Sequence, residues 1–233
     1  MPIRSYTNWN VRQSDRAEQI EPYRKYVFIC EGAKTEPSYF RRLIDIRKQL
    51  GIHPLIDLRL WEKTDEDKNL SFAKNLVKFA KKQKNNPNAD FDPEHDKIVV
   101  VFDGDIFEEK VSGYDELIDE IEKEDIAAVT NPCFELFLIL HVEGSFERYV
   151  KGYESEFLKR DEKGKYSYAY KVLQRLTEMN AKRNPKIGEL ADNVFIAIEQ
   201  EKKINQDIRR LKGRVSSNIG KIIENIIHEV PPL

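Results

Sequence analysis

Cysteine, histidine and methionine are scarce: two, four and two among 233 residues. Cys30 and Cys133 stand apart from each other and from any histidine at zinc-ligand spacing, and two thiols cannot build a disulfide framework. Both read as small buried hydrophobes. His53, His95, His141 and His228 are equally scattered, so a soft-metal centre is excluded and only hard, oxygen-ligated cations stay open. Long apolar runs are also missing. None approaches the roughly 20 residues that span a bilayer, and the opening MPIRSYTNWNVRQSDR has no apolar segment of the signal-peptide kind. The expectation is a cytoplasmic protein without membrane contact.

What is present is a 40% apolar content, enough over this length to bury one compact core. Charge is plentiful and balanced at a net −2, which neither requires nor forbids a polyanionic partner. The balance hides an asymmetry. Asp103 to Asp161 carries 17 acids against 6 bases, whereas Lys182 to Lys221 carries 10 bases against 5 acids. An acidic centre suits divalent cations and a basic flank suits phosphates; alternating charge on solvated helices would give much of the same pattern.

Along the chain, residues 1–24 are polar and aperiodic and read as an arm. KYVFIC (25–30) is a short β-rich run, EGAKTEP a turn, and SYFRRLIDIRKQL has helical spacing closed by Gly51. HPLIDLRLW (53–61) alternates as a second strand, and a basic amphipathic helix capped by Asn69 or Ser71 follows. KIVVVF (97–102) is the most continuous apolar strand, as expected at the buried centre of a parallel sheet. A helix at 114–124, a strand IAAVT (126–130) and an apolar helix CFELFLILH complete a strand–helix alternation. Such alternation predicts an α/β fold with a doubly wound, mostly parallel sheet and helices on both faces, its functional residues at the carboxyl ends of the strands. This core would span 25–145, with a mainly helical, polar extension over 146–233 packed on it.

Asp103 and Asp105 stand two apart where the central strand ends, so on extended backbone both carboxylates point the same way, roughly 6.5 Å apart. Glu31 ends the first strand, and the ends of strands one and three can be neighbours in a doubly wound sheet. Three converging carboxylates would repel one another unless a cation neutralises them, and carboxylate oxygens are what Mg²⁺ or Mn²⁺ takes. Asp and Gly are also ordinary turn residues, so DGD alone is ambiguous. Lys34 and Thr35 offer a phosphate a cation and a hydroxyl near a helix start, although Thr35 is as readily the helix cap. Glu36 fits either the first helical turn or a role beside the metal. Glu135, among Phe134, Leu136 and Phe137, would be costly to bury without a partner and is a candidate to complete the site. His141 reads chiefly as the end of an apolar helix, with phosphate contact or proton transfer as the alternative. Lys74, Lys78, Lys81 and Lys82 fit a solvated helix face, while RRLKGR, with Arg209, Arg210, Lys212 and Arg214, is the better candidate for a nucleic-acid backbone.

The segments CEGAKTEPSYF, VFDGDIF and NPCFELFLILH, in this order, resemble the signature segments of RloB-like proteins. The resemblance is close over about residues 25–145 and looser around GRVSSNIGKIIENI; Phe137 stands where the family often has tryptophan. It implies a Toprim-like domain in restriction-linked or phage-defence loci, with Glu31, Asp103 and Asp105 holding Mg²⁺ (or Mn²⁺). The activity it implies is phosphodiester cleavage of DNA or RNA. A second reading is a non-catalytic or conditional module that binds nucleic acid or docks on a partner ATPase from the same locus. A nucleotide-sugar transferase also uses DxD but leaves EGAKTE unexplained. A haloacid-type phosphatase would want its DxD after the first strand. The oligomeric state, including a homodimer, is open at this stage.

Overall fold

In a computed structural model of the chain, residues 4–7, 22–62, 73–104, 113–159, 166–181 and 183–232 are described. Six strands form one sheet: β1 (Arg4–Tyr6), β2 (Arg24–Cys30), β3 (Ile56–Glu62), β4 (Lys97–Asp103), β5 (Ile126–Asn131) and β6 (Ser216–Ser217), in the order β1-β3-β2-β4-β5-β6. The four strands read from the sequence are the inner ones, and all pair in parallel. The two edge strands run antiparallel. Residues 4–6 of the expected arm are thus part of the sheet, with Ser5 opposite Trp61. Residues 8–21 and the expected caps Asn69 and Ser71 lie outside the described residues.

The helices are α1 (Thr35–Asp45), α2 (Ala73–Lys84), α3 (Tyr114–Glu122), α4 (Phe134–Ile139), α5 (Glu154–Leu158), α6 (Tyr168–Thr177), α7 (Val194–Glu201) and α8 (Ile219–Ile227). Side chains alternate across a strand, so each inner strand feeds two cores. Tyr26, Phe28, Leu58, Leu60, Val99 and Val101 face a cluster completed by α1, α4 and the C-terminal helices. Val27, Ile29, Ile98, Val100 and Phe102 face α2 and α3. Burial on both faces is why β4 reads as an unbroken apolar run. Because parallel crossovers are right-handed, the connection from β2 to β3 lays α1 on one face, and the connections onward to β4 and β5 lay α2 and α3 on the other. The chain therefore leaves β2 and β4 in opposite directions, and a crevice opens at their carboxyl ends.

The C-terminal part is helical as expected, and its apolar side chains pack on the sheet. Leu173, Val194, Ile198, Ile219, Ile223 and Ile226 are buried in the same cluster as the sheet. Each such side chain contributes about 1.5–3 kcal/mol relative to exposure. Its anchor is the fully buried Glu201, whose carboxylate accepts from Ser217 Oγ (2.5 Å), Gln206 Nε2 (3.0 Å) and the backbone N–H groups of Gly220 and Lys221 (both 2.9 Å). Burial pushes its pKa upward, and the four donors and the α8 N-terminus hold it in place. A methyl group on Gly220 would crowd this carboxylate at 2.9 Å, so glycine is required there.

Candidate carboxylate site at the sheet's carboxyl edge

Glu31 follows the last residue of β2 and keeps the ladder one step further, donating its N–H to Val101 O (2.9 Å). Its carboxylate accepts the N–H of Asp103 (3.2 Å). Asp103, last in β4 and opposite Thr130 of β5, accepts at Oδ1 from Thr130 Oγ1 (3.0 Å) and from the Phe134 N–H at the start of α4 (2.9 Å). Three sequence segments, CEGAKTE, VFDG and NPCFE, therefore meet at one point through direct hydrogen bonds. These donors are neutral backbone and hydroxyl groups, and they orient the two half-buried carboxylates. Glu36, in the first turn of α1, folds back over Gly32; any side chain at position 32 would overlap its carboxylate.

Asp105 lies outside the described residues; of the three expected carboxylates, Glu31 and Asp103 are linked, through the Glu31 carboxylate and the Asp103 N–H. Among the described residues no group of three His, Cys, Asp or Glu is arranged to hold a metal ion. The donor type suits a hard cation: carboxylate oxygens carried at the ends of adjacent strands β2 and β4.

Other candidates fall in different places. Lys34 is exposed in the β2–α1 turn at this edge and precedes the first residue of α1. Thr35 is not the helix cap: it is the first helical residue, buried, and its hydroxyl donates to Ala181 O (3.0 Å), which commits it to packing. Glu135 is half-exposed on the first turn of α4, so the expected cost of burying it does not arise; Phe134, Leu136 and Phe137 turn inward without it. His141 is fully buried away from the edge. Its Nδ1 bonds Phe137 O and its Nε2 bonds the Tyr39 hydroxyl (both 2.9 Å), and desolvation lowers its pKa to about 4. It is a neutral core residue, as its chief reading held.

The two basic clusters also separate. On α2, Lys81 pairs with Glu120 of α3 (2.6 Å) and Lys84 with Glu124 and Asp125 just beyond it, so part of the acidic centre is met by α2. The loop 205–214 instead returns to the carboxyl edge. Asn131, buried at the end of β5, donates from Nδ2 to Leu211 O (3.1 Å) and Arg214 O (2.7 Å). Leu211 lies close enough to Gly104 that a methyl group on that glycine would meet it at 3.0 Å. Sequence reasoning passed over Thr130, Asn131 and Asn218. Asn218 pairs with β5 through its amide, accepting from Val129 N and donating to Ala127 O (both 2.8 Å). Thr130 and Asn131 adjoin the NPCFE segment, and that adjacency was the signal available for them.

Fold and site define a doubly wound α/β protein with a carboxylate pair at the topological switch point of its sheet. The chain belongs to the RloB-like protein family, which matches it over residues 26–226, from β2 to α8. No curated protein and no solved structure matches the chain.

Proposed function

We propose that this chain is a divalent-metal-dependent nuclease that cleaves phosphodiester bonds of DNA or RNA, in a restriction-linked or phage-defence setting. The observation that carries the reading is the junction of Glu31 and Asp103 across β2 and β4, at the one point of a doubly wound sheet where the backbone opens a crevice. Glu31, Asp103 and, from the sequence, Asp105 would hold Mg²⁺ or Mn²⁺. The bound cation would supply charge neutralisation on the phosphate and a lowered pKa for water. The chain's own contribution is positional. Thr130 and the Phe134 N–H fix the Asp103 carboxylate, and the Asp103 N–H fixes that of Glu31, so little reorganisation is needed when substrate arrives. Lys34, exposed at this edge, would meet a substrate phosphate.

The test is a cleavage assay on duplex DNA, single-stranded DNA and RNA with Mg²⁺ or Mn²⁺. It compares wild type, Glu31→Gln and Asp103→Asn, with folding checked by circular dichroism. Metal-dependent cleavage lost in both variants supports the reading. Cleavage retained in both overturns it, as does no cleavage by wild type on any substrate, which would favour a docking module that acts with a partner ATPase.

A further inference from the structure

The loop that returns to the carboxyl edge sorts its side chains sharply. Ile208 and Leu211 are buried in the α2/α3 core, and Val215 is buried in the opposite core. Between them Arg209, Arg210, Lys212 and Arg214 are exposed. Apolar pegs at this spacing pin a segment that has no regular secondary structure, and polar bonds finish the docking. The Tyr114 hydroxyl donates to Ile208 O (2.7 Å), and Asn205 Nδ2 reaches Asp207 O (2.9 Å) and Ser216 Oγ (2.7 Å). The Asn131 amide takes the Leu211 and Arg214 carbonyls. Leu211 packs on Gly104, one residue beyond Asp103. The loop that carries these cations is thereby docked beside the carboxylate turn through Leu211, about 110 positions away from Gly104 in sequence.

The four cations are not equivalent. Arg209 turns inward to α3, where Nη2 lies 2.8 Å from Asp119 and 2.7 Å from Glu122. Arg210 has a looser contact with Asp207 at 3.4 Å, and Lys212 and Arg214 make no ion pair among the described residues. We infer that Arg210, Lys212 and Arg214 form the surface that grips the phosphate backbone of the nucleic acid beside the carboxylates, while Arg209 is a positioning residue that latches the loop to α3. This deepens the nuclease reading and takes its substrate class from it. The loop supplies sequence-independent, salt-sensitive affinity, since cations on phosphates release condensed counterions.

The experiment is fluorescence-anisotropy titration of labelled duplex DNA, single-stranded DNA and single-stranded RNA in EDTA over a range of salt. Because metal is absent, the result does not depend on whether the protein cleaves anything. Wild type is expected to bind at least one of the three probes. A variant with Arg210→Gln, Lys212→Gln and Arg214→Gln is expected to lose about 2 to 3 from the slope of log affinity against log salt. Arg209→Gln should keep the wild-type slope. Asn131→Ala keeps every charge and is expected to weaken binding by undocking the loop; the three surface substitutions carry the test if this core change unfolds the chain. The inference is overturned if no probe binds wild type, if the triple variant keeps its slope, or if Arg209→Gln alone loses a third or more of the slope that the triple variant loses. Unchanged binding by a folded Asn131→Ala overturns the docking.

Discussion

The two ends of the sheet handle charge in opposite ways. At the amino ends of the strands, Asp57 is completely buried and faces Arg59 Nε at 2.7 Å and Arg47 Nη1 at 3.7 Å, with the Thr7 hydroxyl donating at 2.9 Å. Beside it Lys25 lies between Asp96 and Asp90, and Asp90 also meets Arg59. Carboxylates there have cations of the chain itself as partners. At the carboxyl ends, Glu31 and Asp103 are held by backbone N–H groups and a hydroxyl. Internal ion pairs stiffen a structure and offer nothing to a ligand, whereas neutral donors aim a charge that an external cation can meet. The contrast teaches that acid content alone does not mark a site; the kind of donor does.

The comparison is sharpened most by removing the buried anion at the amino end. Asp57→Ala takes the carboxylate from buried Arg47 and leaves Arg59 with Asp90 alone, and should cost about 3–5 kcal/mol in chemical denaturation. A loss below about 1 kcal/mol would show that the network is not structural. Next is His141, which lies behind α4 and belongs to neither edge. Its folded pKa of about 4 is below its ordinary 6.5, so its favourable contribution is full above about pH 6.5 and is lost as pH falls toward 4. Across that window wild type should lose roughly 3 kcal/mol relative to His141→Gln, read as the difference between two stability-against-pH curves. Parallel curves would remove the histidine from the acid response.

At the carboxyl end, Asp103→Asn keeps an acceptor for Thr130 and Phe134, so stability should change little while cleavage falls about a hundredfold or more. If Asp103→Asn unfolded the chain as Asp57→Ala is expected to, the two ends would be alike after all. The smallest effect is at Gly32. Gly32→Ala displaces only the flexible Glu36 carboxylate, so the melting temperature should hold, and metal affinity measured by calorimetry should fall about tenfold if Glu36 supports the site. Unchanged affinity would restrict Glu36 to the first turn of α1.

Much of this architecture was legible beforehand because it is local. KYVFIC and KIVVVF read as strands from their composition, whereas Gly51, expected to close α1, lies beyond its end: α1 stops at Asp45 with Ile46 as its C-cap, and Gly51, with φ of +75°, ends the turns that follow. Glu31 and Asp103 were legible as strand-end acids. Thr35 was misread as a cap because its true partner, Ala181 O, is remote in sequence. Glu135 was credited with burial because its apolar neighbours were visible and the direction of its helix face was not. Edge strands β1 and β6, of three and two residues, carry too little periodicity to register.

What the sequence determined by itself was the alternation of strands and helices, the acids at strand ends and the two basic clusters, since periodicity and spacing are properties of neighbouring residues. Tertiary structure alone decided which cluster reaches the site. Lys81 of α2 meets Glu120 of α3, whereas the loop carrying Arg210, Lys212 and Arg214 is docked next to Gly104 through Asn131 and Leu211. That choice rests on the shape of a buried junction and on hydrogen bonds spanning some 80 residues, and no local pattern encodes either.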